Sequence, residues 1–293
     1  MPLMNDTIVA MYGENKYALN ILNAMIDSGR IPKAVLIERS IDTNPFIREF
    51  RLLFSSLKKK GIEGFLKRLS GIFVNFLKFT GIEERENTPE AFAAAKPFLK
   101  YYDNSLKLSD FDFKKPGIEL KEMKTNSDEF ISYIKKNKIK VVLVGTKIIS
   151  RKVLESTGCL YINGHPGYLP YMRGMDSVKW SLYNSHRPGG TLHFIDAGVD
   201  TGKIIQKGLV PVSENDSFAS LRMKCRDLCI SFFLENIDKI RAGKVSPKNL
   251  QEQDVSQGFQ STAMGFFKLQ KAKQKLNELK IKQSFKQYPD GAM

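Results

Sequence analysis

The chain has 293 residues, 42% of them hydrophobic, and carries 46 Lys and Arg against 31 Asp and Glu, a formal charge of +15. That apolar share is enough for a full-sized core and excludes a disordered chain, while the charge favours an anionic partner such as a nucleotide, a phosphate, nucleic acid or an acidic membrane surface. Three cysteines, with no Cys-x-x-Cys pair and no clustered histidines, indicate neither a disulfide framework nor a zinc site, and fit reduced thiols in a cytoplasmic protein.

The first residues lack a basic start followed by an apolar core, and no 18 apolar residues run together, so neither a secretion signal nor a membrane span is expected. Ile8 to Met11 reads as a strand. Ala18, Leu22, Met25 and Ile26 then recur at helical spacing before Gly29, and residues 33–38 form a second strand, the order of a parallel sheet with a helical crossover. Residues 45–80 break the rhythm with two helices rich in Phe and Lys, an insertion by composition. Residues 81–117 are mostly irregular, with a short helix near Glu90 to Ala95.

A strand near 117–123, a helix capped by Ser127 and the all-apolar strand ending at Gly145 come next. A short helix capped by Ser150 leads to the strand Cys159 to Asn163. Met175 to Asn184 reads as a helix, residues 187–190 as a turn, and residues 191–198 and 203–212 as strands. Ser217 to Arg241 and Phe266 to Gln287 are the closing helices. Cys225 and Cys229, four apart in the first of these, read as buried packing residues, as do Met175 and Trp180 earlier.

Asn163 and His165 stand at the end of a buried strand, ahead of a loop shaped by Pro166, Gly167, Pro170 and Gly174. In open α/β sheets ligands bind at such strand ends. An amide beside an imidazole can hold the charge that develops on a carbonyl oxygen during acyl transfer, and a carboxylate such as Asp200 can orient the ring or take a proton from an attacking amine. Two of the three histidines, His165 and His193, fall in this region; His186, in a turn, reads as a surface residue.

NGHPGYLPYMRG at 163–174, followed by GGTLHFIDAGVDTGKII at 189–205, resembles the signature of the folate-dependent formyltransferases. That group includes the glycinamide ribonucleotide, methionyl-tRNA and amino-sugar N-formyltransferases. The resemblance implies a Rossmann-like, mostly parallel sheet within 1–212; composition adds the helical insertion at 45–80, and helical spacing a helical C-terminal extension over 213–293. It implies a cytoplasmic transferase that moves a formyl group from 10-formyltetrahydrofolate to a primary amine, without a metal. Asn163, His165 and Asp200 become the catalytic trio. Gly145, Lys147, Ile148, Ile149, His193, Asp196 and Gly198 line the folate site. Arg173 stands either beside the acceptor or in a salt bridge that fixes its own turn.

The likeness is close over 139–212 and absent over the insertion and the C-terminal part. Two departures matter. Gly13 is alone where phosphate-binding members carry a Gly-rich loop, and Gly167 replaces the family's Ser. An amino sugar on a nucleotide suits the charge as acceptor, with an amino acid or phosphorylated amine next. Three other readings stay open: a formyl-folate hydrolase, an iron site of His165, His193 and Asp200, and a basic module that binds nucleic acid or membrane. Family hydrolases place a regulatory domain first and end soon after the catalytic one, whereas here the first strand starts at residue 7 and residues 213–293 follow the matched region. Methionyl-tRNA members end in a β-rich barrel, whereas residues after 216 read as helices. The closing helices can equally pack on their own subunit or form a homodimer seam.

Overall fold

The computed structural model describes residues 3–39, 62, 88–145 and 148–292. The insertion expected at 45–80 lies, save Ile62, outside the described residues, as does Lys147. Residues 1–39 and 87–293 form one compact unit.

Its frame is a seven-stranded sheet in the order β3-β2-β1-β4-β5-β7-β8. The strands are β1 (Leu3–Tyr12), β2 (Ile31–Glu38), β3 (Glu119–Glu122), β4 (Val141–Gly145), β5 (Leu160–His165), β7 (Gly189–Phe194) and β8 (Ile204–Leu209). From β3 to β5 all neighbours are parallel, and β7 runs antiparallel to both β5 and β8. A separate parallel pair joins β6 (Met172–Gly174) to β9 (Phe259–Ser261).

The middle of the sheet, residues 8–11 of β1 and 141–144 of β4, is apolar on both faces because helices cover both. Val9 and Met11 of β1, Val141 and Leu143 of β4 and Ile162 of β5 enter one core with α1 (Lys16–Asp27) and α6 (Phe218–Arg241). Ile8 and Ala10, Val142 and Val144, and Tyr161 enter the opposite core with α3 (Asp128–Lys136) and α4 (Arg151–Thr157). This alternation fixes which way each later side chain of β5 points. The short α2 (Pro89–Ala95) packs on the first core through Ala91 and Ala95.

Local chemistry explains the ends of these helices. Asn15 accepts hydrogen bonds from the Tyr17 and Ala18 amides, and Ser127 and Ser150 cap α3 and α4 as expected. Gly158 closes α4 at φ +64, a conformation that favours glycine. At the start of α6, Ser217 and Ser220 cap each other reciprocally.

Three elements differ from expectation. Gly189 and Gly190 belong to β7 rather than to a turn, paired with Leu209 and Gly208, and a Cβ at Gly189 would lie 2.3 Å from the Gly208 carbonyl and one at Gly190 2.6 Å from that of Cys225. The glycines are there so that β8 and α6 can pack closely. The closing helix, α7 (Phe266–Lys282), stops short of Gln287 because Gln283 turns left-handed. Met175 is 62% exposed rather than core.

The helical C-terminal part has two kinds of attachment. Phe232, Phe233 and Ile237 of α6 belong to the same core as β1 and β4. Leu269, Ala272, Leu276 and Leu279 of α7 pack with Val178 and Leu182 of α5 (Ser177–Tyr183). Cys225 and Cys229 are buried free thiols, and burial pushes Cys229 up to about 12. No described helix is long and apolar enough to cross a membrane.

Candidate active site

Asn163 and His165 follow Tyr161 at a spacing of two, so both project on the same face of β5 as Tyr161. Pairing of β5 with β7 sets Asn163 opposite His193, and the Asn163 amide nitrogen lies 3.4 Å from His193 Nε2. Asp200, in the loop between β7 and β8, reaches back to both rings. Its Oδ2 is 3.5 Å from His165 Nδ1 and its Oδ1 3.6 Å from His193 Nε2. Three residues named from the motif, with the second histidine, therefore meet at one strand end.

Hydrogen bonding decides what each ring can do. His165 Nε2 lies 2.8 Å from the Met172 carbonyl and His193 Nδ1 2.8 Å from that of Phe194. A carbonyl only accepts, so both of these nitrogens carry hydrogen. The remaining nitrogens face the two oxygens of Asp200. Burial pushes His193 down to about 4, against the pull of Asp200 and with the help of His165. His193 is therefore neutral near pH 7, and its Nε2 accepts from the Asn163 amide. The arrangement sets His165 Nδ1 against an oxygen of Asp200, next to an amide donor. That is the equipment for attack on a carbonyl and removal of a proton from the attacking group.

Two backbone groups complete the cluster. The Gly174 N–H donates to Asp200 Oδ2 at 2.8 Å, and the Met172 carbonyl takes up the His165 Nε2–H. Gly167 permits that second contact. A Cβ there would come within 2.4 Å of His165 Nε2 and 2.5 Å of the Met172 oxygen.

The other anticipated positions are more dispersed. Gly145 ends β4 and Ile148 is 72% exposed, while Ile149 is buried in the core with Phe130 and Val153. Asp196 uses its Oδ1 on its own loop, accepting from the Gly198 N–H and the Thr201 hydroxyl. The Arg173 guanidinium donates to the Val255 carbonyl, so its described partner is a backbone carbonyl rather than a carboxylate. His186 is half-buried, stacked on Tyr288 at 4.4 Å. Trp180 packs edge-on against Tyr183 and Phe259 and donates to the Thr262 carbonyl. Among the described residues no group of three or more His, Cys, Asp and Glu could hold a metal ion.

Sequence reasoning missed the contributions of Met172, Gly174 and Gln253. The first two act through backbone atoms, and only the positive φ demanded of Gly174 left a trace, as a glycine. Gln253 donates from its amide to the Asp200 carbonyl and lies in a polar stretch with no pattern.

A family model described as formyl transferase matches residues 80–237. The methionyl-tRNA formyltransferase of Thermodesulfovibrio yellowstonii is 32% identical over 130 residues, 43% of this chain and 42% of the relative. The chain thus spans less than half the length of that curated relative. Glycinamide ribonucleotide transformylase 1 from Symbiobacterium toebii superposes with a TM-score of 0.51 at 16% identity, over 85% of this chain and 93% of that one. An N-formyltransferase from Helicobacter canadensis, solved with folinic acid and dTDP-3-aminofucose, gives 0.51 at 17% identity, over 91% and 80%. At such identities the likeness is one of fold.

Proposed function

Because the chain belongs to the formyl transferase family, whose model matches more than half of it, we propose that it moves a formyl group from 10-formyltetrahydrofolate to a primary amine. The convergence of Asn163, His165 and Asp200 at the end of β5 carries this reading. The folate supplies an activated formyl carbon, whose bond to nitrogen breaks as the bond to the amine forms.

In this reading the Asn163 amide donates to the formyl oxygen as its charge grows, and Asp200 takes the proton that the attacking nitrogen loses. His165, paired with Asp200, returns a proton to the leaving nitrogen. Its Nε2–H becomes a second donor to the oxygen once the Met172 carbonyl gives way, a movement the side-chain-free Gly167 leaves room for. Neutral His193 keeps the Asn163 amide aimed. Gly145, Lys147, Ile148, Ile149, Asp196 and Gly198 would border the folate, with the exposed Ile148 offering apolar area to its ring.

The acceptor we favour is an amino sugar on a nucleotide, with Arg173 near it. Support comes from the +15 charge and from the amino-sugar ligand of the Helicobacter canadensis protein. The methionyl-tRNA formyltransferase relative supports an aminoacyl-tRNA acceptor as the second reading.

The test is to incubate the protein with 10-formyltetrahydrofolate and a panel of nucleotide amino sugars, amino acids, phosphorylated amines and methionyl-tRNA, and to seek a formylated product by mass spectrometry. Formamide on a nucleotide sugar is the expected result. Formate released equally well without any amine would make the protein a hydrolase instead.

A further inference from the structure

We propose that Gln253, which lies beyond the stretch matched by the family model, is a positioning residue that holds Asp200 between the two imidazoles. The proposal rests on the formyl-transfer reading of the site. Asp200 sits at φ +54, in the left-handed region that most side chains avoid.

Its side chain is anchored by the Gly174 N–H, and its backbone by Gln253, whose Nε2 donates to the Asp200 carbonyl at 3.1 Å and to the Gly202 carbonyl. Both partners are acceptors, so only the NH2 end of the amide can face them. The other end, Oε1, is buried with no hydrogen-bond partner, and the two carbonyls alone set the amide's orientation.

The rest of this segment ties the same parts together. Lys203, just past the turn, pairs with Glu252 at 3.0 Å, and the Arg173 guanidinium donates to the Val255 carbonyl. The Ser261 hydroxyl donates to the Arg173 carbonyl in β6 and to the Met175 carbonyl just past it, while β9 pairs with β6. Residues 252–261 thus join the two pieces that grip Asp200: the turn carrying its backbone and the strand carrying Gly174. A carboxylate 3.5 and 3.6 Å from its two rings is sensitive to small displacements.

Gln253→Leu keeps the bulk and removes both donors; Gln253→Glu sets a carboxylate against the two carbonyls; Gln253→Lys restores a donor. The Leu and Glu variants are expected to lose roughly 10- to 100-fold in kcat with KM for folate and amine little changed. Melting temperature should stay within about 2–4 °C of wild type. The Lys variant should regain most of the rate. Wild-type kcat in both Leu and Glu variants, or a Lys variant as slow as they are, would overturn the proposal. If the Leu chain does not fold, the Glu and Lys pair decides. Wild-type protein that transfers no formyl group to any amine would instead remove the reading on which the proposal stands, whatever the Gln253 variants do.

Discussion

The residues from Asn163 to Asp200 and those from Gln253 to Ala292 serve the same site in opposite ways. The first region contributes side chains: an amide, two imidazoles and a carboxylate linked by contacts of 3.4–3.6 Å. The second contributes no side chain to that cluster. It holds the loops beside them, with Gln253 on the Asp200 carbonyl, Tyr288 packed against Tyr168, Tyr171 and His186, and Asp290 accepting from the Tyr168 hydroxyl and from Lys207. Function of the first kind depends on which atoms are present. Function of the second depends on where a backbone is put, which many side chains could achieve.

If this contrast is sound, the largest single effect on stability should come from the bracing region and leave the chemistry of the surviving folded molecules intact. Tyr288 is 2% exposed amid three rings, and its hydroxyl donates to the Arg187 carbonyl. Tyr288→Ala is expected to cost about 3–5 kcal/mol, as loss of a buried aromatic does, read as a lowered urea midpoint. A midpoint within error of wild type would mean that the C-terminal residues only rest on the loop.

Asn163→Ala is the complementary case. It removes one donor at the strand end and should lower kcat by roughly 100- to 1000-fold, about 2.7–4 kcal/mol of barrier, with the urea midpoint nearly unchanged. Equal turnover by the variant and wild type would take Asn163 out of the chemistry.

Between these lies a stability effect generated inside the cluster around Asp200. In the unfolded chain His193 takes up a proton near pH 6.5, whereas in the fold, buried, it does so only near 4. Between those values the unfolded state binds more protons, so stability falls as pH is lowered from 6.5 toward 4 and levels off below. Its ceiling is roughly 3 kcal/mol, moderated by the groups that face the ring: Asp200, which favours the proton, His165, which opposes it, and Asp196. His193→Gln should flatten this part of the curve in urea titrations at pH 7, 5.5 and 4.5. Parallel curves for variant and wild type would show that the acid sensitivity arises elsewhere.

The same contrast explains what could be read from the chain in advance. The parallel core was legible because Val141 to Val144 are apolar on both faces, and the caps because Ser127 and Ser150 have the right chemistry. The meeting of Asn163, His165 and Asp200 was legible in the motif, and alternation on β5 puts Asn163 and His165 on one face. The β6–β9 pair was not, since three-residue strands leave no periodicity and their contacts run through carbonyls and N–H groups. Nor did sequence foretell that Gly189 and Gly190 continue a strand, because the reason lies in Gly208 and Cys225, which only folding brings near.

The smallest expected effect tests how the brace works. Lys207 Nζ lies 2.6 Å from Asp290 Oδ2, with the two side chains 24% and 29% exposed, so solvent screens much of the attraction. The ammonium also donates to the Leu169 carbonyl at 3.0 Å and sits 4.4 Å from the Tyr168 ring centre. Asp290→Asn keeps an oxygen for the Tyr168 hydroxyl and leaves those two lysine contacts in place, removing the charge and the oxygen that accepts from the Ala292 N–H. The cost should be within about 1 kcal/mol and should shrink as salt is raised. A loss as large as that of Tyr288→Ala, unchanged by salt, would mean that the ion pair rather than the stacked rings holds the loop, and the bracing region would then depend on specific side chains just as the catalytic one does.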